Sequence, residues 1–171
     1  MNTIRGGTVA RQSSFESLVE AHAGIVFRVA RTYCRDHDDQ LDLVQEIKVQ
    51  LWRSFARFDE RQVFSTWMYR IALNVAISWT RKSAGRIERS TDLDSIAEPS
   101  APPSVNDELT ILYAMIDGLD PLNRALLLLY LEDLSHAEIE EVLGISAGNV
   151  ATKISRLKQQ LRQEANLLPS N

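Results

Sequence analysis

The chain has 171 residues, 44% of them hydrophobic, enough for one medium domain or two small ones with a packed core. Lys and Arg number 19 against 23 Asp and Glu, a formal net charge of −4 that by itself argues against a nucleic-acid partner. No run approaches the roughly 18–20 apolar residues of a membrane span, and the single Cys34 excludes an internal disulfide.

Long patterns of period 3.6 dominate and strand punctuation is sparse, so the expected fold is all-α. Residues 1–12 read as a disordered leader without an apolar signal-peptide core, which makes the chain a cytoplasmic one by expectation. A first helix is predicted over 14–35, opened by Ser13 and Glu16 at capping-box spacing and lined by Phe15, Leu18, Val19, Ile25, Val26, Val29 and Tyr33. Cys34, at its end among apolar residues, reads as a packed, unreactive thiol. A second helix covers 39–57, with Leu41, Val44, Leu51, Trp52 and Phe55 on its apolar side. Its first turn is acidic, which suits the helix dipole, and Asp42, Gln45 and Glu46 make a compact polar face beside Leu43 that could dock a basic partner helix.

A loop over 58–65 leads into a third helix at 65–83, with Met68, Ile71, Val75 and Trp79 as its expected buried stripe. Trp67, Arg70, Asn74, Ser78 and Arg81 recur every three or four residues and so share one exposed face. An aromatic ring beside Arg and Asn suits unpaired nucleic acid, since the ring stacks on a base, Asn bonds a base edge and Arg holds phosphate. The spacing also fits the commoner arrangement, a core aromatic on a helix whose Arg, Asn and Ser make an ordinary solvated face.

Periodicity then stops. Residues 84–105, with Glu98-Pro-Ser-Ala-Pro-Pro-Ser104, form a linker that separates two small helical domains, 13–83 and 106–166. Helices are predicted over 106–118 and 121–132, the second opened by Asp120 as cap and Pro121 in the first turn. The stretch Leu134–Leu157 reads as helix, three-residue turn, helix: Ser135 and Glu138 form a capping box, Gly144 ends the first helix, and Ser146 caps the second. On that second helix Val150, Ile154, Leu157 and Leu161 form an apolar stripe, with Asn149, Thr152, Lys153 and Arg156 opposite. This is the layout of a helix-turn-helix whose second helix enters a DNA major groove.

The charges are unevenly spread, which removes the objection of a negative total. Residues 61–89 hold six Lys/Arg against one acid, 90–146 one against twelve, and 147–171 four against one. Two basic islands flank an acidic middle, and local fields decide phosphate binding. Catalytic and metal-bearing patterns are absent: His22, His37 and His136 have no ligand spacing to one another or to Cys34, and there is no phosphate loop or serine elbow. The expectation is a protein that is not an enzyme and needs no cofactor or metal.

Taken together, these segments resemble the extracytoplasmic-function (ECF) sigma factors of bacterial RNA polymerase over about residues 14–165. Asp42-Leu-Val-Gln-Glu46, continuing to Leu51-Trp52, looks like sigma region 2.2. Phe58–Phe64 followed by Thr66–Asn74 looks like the loop and helix of regions 2.3 and 2.4, Asp117–Arg124 like the opening of region 4, and Leu134–Arg162 like its helix-turn-helix. The resemblance implies that Asp42, Leu43, Val44, Gln45 and Glu46 bind the clamp helices of the polymerase's largest subunit, and that the flap is a second contact. It implies that Phe58, Phe64 and Ser65 belong to the loop that captures a flipped minus-ten base, with Trp67, Arg70 and Asn74 on the opened strand nearby. Gly148, Asn149, Thr152, Lys153 and Arg156 would meet the minus-35 element. The acidic linker, with Asp92, Asp94 and Glu98, would thread the RNA channel, and an anti-sigma factor would be the restraining partner.

Four positions depart from the family pattern. Glu140 stands where a small residue is usual, and must point outward or shift the interhelical contact. Ala151 stands where Lys is common, and Ile47-Lys48 replaces an aromatic-rich continuation of region 2.2. The competing readings are a stand-alone helix-turn-helix regulator and a sigma-like decoy for an anti-sigma factor; the acidic middle and the polar Asp42–Glu46 face oppose the first, and the intact Trp67, Arg70 and Asn74 oppose the second.

Overall fold

The computed structural model describes residues 4–87 and 115–166. Among these residues there is no strand, and seven helices account for most of them, as the all-α reading expects: α1 (Ile4–Ala21), α2 (Ala23–Tyr33), α3 (His37–Phe55), α4 (Phe64–Ile87), α5 (Pro121–Leu131), α6 (His136–Leu143) and α7 (Ala147–Asn166). The chain divides into two compact units, Met1–Ala76 and Ile77–Asn171. Most of the expected linker, 88–105, and most of the helix expected at 106–118 lie outside the described residues, as do Asp92, Asp94 and Glu98.

In the first unit the expected single helix over 14–35 is two. The chain breaks at His22, whose backbone leaves helical geometry (φ −117°, ψ 17°) while its ring Nδ1 donates to the Leu18 carbonyl at 2.9 Å. The leader expected to be disordered is helical from Ile4, so Ser13 lies inside a helix instead of capping one. Adding turns to an existing helix carries no new nucleation cost, and Gln12 bonds Glu16 one turn on. Asp36 caps α3, its carboxylate accepting from the N–H groups of Asp38 and Asp39, and Gln40 closes the α2–α3 turn by donating to the carbonyls of Cys34 and Arg35.

Ile25, Val26, Val29, Ala30 and Tyr33 of α2 are buried, as are Leu43, Val44, Ile47 and Leu51 of α3; α2 and α3 pack against each other. Each such aliphatic side chain removed from water contributes about 1.5–3 kcal/mol. Ile47 is thus a core residue, while Lys48 reaches over the Phe27 ring at 5.9 Å. The buried face of α4 is Phe64, Thr66, Met68, Tyr69, Ala72, Leu73 and Ala76. The expected stripe kept Met68 but missed the alanines: Ala72 and Ala76 are fully buried, whereas Ile71, Val75 and Trp79 are only half-buried. Cys34 is buried, and desolvation, helped by Asp39 and Asp36, pushes its thiol up to about 11, so it stays protonated and inert.

The second unit is built by caps. Residues 115–117 are helical, Leu119 turns inward, and Asp120 caps α5 by accepting from the N–H groups of Leu122 and Asn123, with Pro121 in the first turn. Arg124 ties this entry down by donating to the carbonyls of Leu119 (2.9 Å) and Asp117 (2.6 Å). Ala125–Leu129 are buried against α6 and α7. The capping box of Ser135 and Glu138 is present, and the serine hydroxyl and backbone N–H hold the Glu138 carboxyl below the ordinary glutamate range. Gly144 takes φ 69°, the left-handed conformation that only glycine adopts cheaply. Val150, Ile154 and Leu157 of α7 are buried, and Leu161 packs beside Leu119, Leu127 and Leu157, so the predicted stripe is the observed one.

Candidate nucleic-acid and polymerase interfaces

The Asp42–Glu46 segment occupies the second and third turns of α3. The helix turns Asp42 and Gln45 to solvent and leaves Glu46 half-buried, its carboxylate accepting from Gln50 at 3.0 Å. Leu43 and Val44 were expected in the interface, but they face the core at 0% and 3% exposure, so they set the helix in place and do not form its outer surface. The reverse error concerns Leu41 and Trp52, assigned to the apolar side and in fact 45% and 43% exposed. Leu41, Gln45, Val49 and Trp52 recur at spacings of four, four and three, so they form one stripe on the open side of α3. A helical-wheel reading that placed Leu43, Ile47 and Leu51 inside would have found it.

The second site is the loop after α3 and the start of α4. Asp59 organises the loop: its carboxylate accepts from the Arg61 backbone N–H and guanidinium, and its carbonyl accepts from Gln62 N–H. The Arg61 guanidinium, and then its N–H, hold the Asp59 carboxyl below the ordinary aspartate range. Beneath the loop lies an aromatic cluster. Phe58 stacks on Phe55 (5.9 Å, 12°) and meets Trp67 at 5.0 Å and Phe64 at 5.3 Å, edge-on to the latter. Phe64 also touches Trp67 and the His22 ring, while Phe15 of α1 packs on Trp52 and Phe55.

Phe58, Ser65 and Trp67 are half-buried, with part of each surface open, and Arg70 and Asn74 are exposed one and two turns further along α4. Phe64 is buried at 8% exposure, so it supports Phe58 and Trp67 and offers no free face for a base. Sequence spacing missed Phe55 and Phe15 as the floor of this cluster, and Val63, 60% exposed on the loop. The arrangement supplies flat apolar surface, an amide and a guanidinium along one ridge, the set required to stack, read and hold a single strand.

The third site is α7. Gly148, Asn149, Thr152 and Arg156 are exposed and Lys153 is half-buried. Thr152 turns its hydroxyl onto the Gly148 carbonyl at 2.9 Å. Lys158 is drawn to the Tyr130 ring, 4.2 Å from its centroid, and so belongs to the packing against α5. Among the described residues no three His, Cys, Asp or Glu side chains converge as a metal site requires, and no helix is long and apolar enough to cross a membrane.

Residues 18–86, from the end of α1 to the last turn of α4, match sigma-70 region 2, and residues 109–161, including α5 and α6 and most of α7, match sigma-70 region 4. An ECF RNA polymerase sigma factor, SigE of Mycolicibacterium smegmatis, is 33% identical over 164 residues, 91% of this chain and 63% of that protein. The chain belongs to the sigma-70 family, in its ECF group. The sigma factor is also similar to SigW of Bacillus subtilis, at 25% identity over 90% of this chain and 89% of its relative. Its fold matches that of the sigma factor RpoE of Bartonella quintana, solved with the anti-sigma factor NepR, with a TM-score of 0.74 at 18% identity over 91% of this chain and 99% of that one.

Proposed function

We propose that this sigma factor binds the RNA polymerase core through α3, reads and opens the minus-ten element with the 58–65 loop and α4, and reads the minus-35 element with α7. The observation that carries the reading is the ridge of Trp67, Arg70 and Asn74, with one ring half-open above an aromatic floor and two polar side chains exposed beyond it. A duplex-only regulator has no use for a stacking ridge, whereas melted DNA does. Asp42, Gln45 and Glu46 provide the polar part of the core contact, and the exposed Leu41, Val49 and Trp52 provide apolar area around them. On α7, Asn149, Lys153 and Arg156 face base edges and phosphates, with Gly148 and Thr152 lining the approach.

In this reading residues 13–83 are the region 2 domain, 106–166 the region 4 domain and 84–105 the linker between them. The protein acts in the cytoplasm, performs no covalent step and uses no cofactor. An anti-sigma factor restrains it, as the solved relative with NepR illustrates for its own case. The test is transcription from a promoter selected by the reconstituted holoenzyme out of a randomised pool. Asn74→Ala should abolish promoter opening, read by permanganate reactivity, while leaving binding to core polymerase intact; equal loss of both would overturn the assignment of α4.

A further inference from the structure

Glu140, the residue out of place for the family pattern, points outward and ties together both ends of the turn. Its carbonyl accepts from the N–H of Gly144 at 2.8 Å, which ends α6. Its carboxylate Oε2 accepts from the N–H of Ala147, the first residue of α7, at 3.0 Å across seven positions. The side-chain cap expected from sequence, the Ser146 hydroxyl, makes a long contact of 3.4 Å with the N–H of Asn149. The stronger cap on α7 therefore comes from the preceding helix. It is charged, and it sits where the positive end of the helix dipole would otherwise attract a DNA phosphate.

We infer that Glu140 is a specificity-determining positioning residue. Its carboxylate staples the turn into α7 and denies the amino end of that helix to DNA phosphates, so duplexes without the right base edges are held weakly. A phosphate contact carries no sequence information. A recognition helix deprived of one depends more heavily on Asn149, Lys153 and Arg156, and loses affinity for arbitrary DNA faster than for its own site. A small residue at this position would leave the amino end of the helix open to phosphate, with higher affinity and poorer discrimination.

This inference rests on α7 meeting DNA, and the experiment separates the two ideas. Binding of the full chain is measured by fluorescence anisotropy to two short duplexes, one with the minus-35 segment that the holoenzyme selects and one with that segment scrambled. E140Q should bind the scrambled duplex about three- to tenfold more tightly at low salt, gain less on the selected one, and lose the advantage as salt rises. Hydrogen exchange at the Ala147 amide should quicken about tenfold or more in E140A and stay near native in E140Q, whose amide oxygen still accepts. Native-like binding of both duplexes by E140Q overturns the electrostatic role, and an Ala147 amide as protected in E140A as in the native chain overturns the staple. If K153A and R156A leave binding to both duplexes unchanged, the placement of α7 on DNA has failed; the exchange measurement needs no DNA and still decides the staple.

Discussion

In α4 the side chains proposed to meet DNA grow out of the packing that holds the helix in place; in α7 they stand apart from it. Trp67 touches Phe55, Phe58 and Phe64, so the surface that would stack on a base is the upper side of a structural cluster. Asn149 and Arg156 project from the side of α7 opposite Val150, Ile154 and Leu157, and the conformation of that helix is fixed elsewhere, at its caps and its apolar stripe. Opening a duplex requires flat apolar surface, which a protein keeps half-exposed only by bracing it from below. Reading an intact groove requires polar reach, which a helix offers on any solvated face. In α4 fold and function therefore share residues, and in α7 they can be separated by mutation.

The largest expected effect tests that sharing. Trp67→Ala should cost about 2–3 kcal/mol of unfolding free energy, from lost burial and lost ring contacts, and should abolish promoter opening as well. Trp67→Phe should restore most of the stability. Urea unfolding followed by far-ultraviolet circular dichroism, together with permanganate probing of the promoter, reads both quantities. A variant that loses opening with native stability would show that the ring is held independently of the cluster.

Arg156→Ala is the counterpart in α7. Binding to the minus-35 duplex should weaken by about 1–3 kcal/mol if the guanidinium meets a base edge. Unfolding free energy should change by less than about 0.5 kcal/mol, as for an exposed residue outside any cap or core. A stability loss comparable to that of Trp67→Ala would remove the distinction between the two helices.

The two regions also differ in how well sequence spacing describes them. In the second unit the caps at Asp120 and Ser135, the glycine at 144 and the α7 stripe are local signals, each completed within a turn or two of chain, and all occur where spacing puts them. In the first unit the decisive contacts join residues far apart in sequence: Phe15 with Phe55, His22 with Phe64, and Phe58 with Trp67. Periodicity alone ranks large apolar residues as buried. It put Trp52 inside, left Trp67 undecided between a solvated face and the core, and missed Ala72 and Ala76 in the buried face of α4. It also cannot foresee a cap supplied across a turn, which is why Glu140 reads as a misfit until its carboxylate is seen on Ala147.

A smaller effect tests whether the turn before α7 is set by backbone conformation alone. Gly144 has open space where a Cβ would go, so Gly144→Ala meets no clash and suffers only the left-handed φ of 69°. The expected loss is about 1–2 kcal/mol in unfolding free energy, with minus-35 affinity following only as far as α7 shifts. Loss of DNA binding far beyond the loss of stability would mean that the turn angle itself is read out at the DNA.

The smallest effect lies in the capping box that opens α6. Ser135 N–H and Oγ–H both donate to the Glu138 carboxylate, at 2.8 and 2.7 Å, and the Glu138 N–H donates back to the hydroxyl. Because these bonds hold the Glu138 carboxyl below its ordinary range, the stabilisation they give is present above that range and is lost as pH falls through and below it. Ser135→Ala should therefore cost about 1 kcal/mol near pH 7. The penalty should shrink at acid pH below the lowered range of the folded carboxyl, where the part of the box that depends on its charge has gone. Equal penalties at the two pH values, measured by urea unfolding of the native chain and the variant, would assign the whole effect to the hydroxyl on the Glu138 N–H and none to the carboxylate. The cap on α6 would then be neutral in character, leaving the carboxylate of Glu140 on Ala147 as the charged cap in the helix-turn-helix.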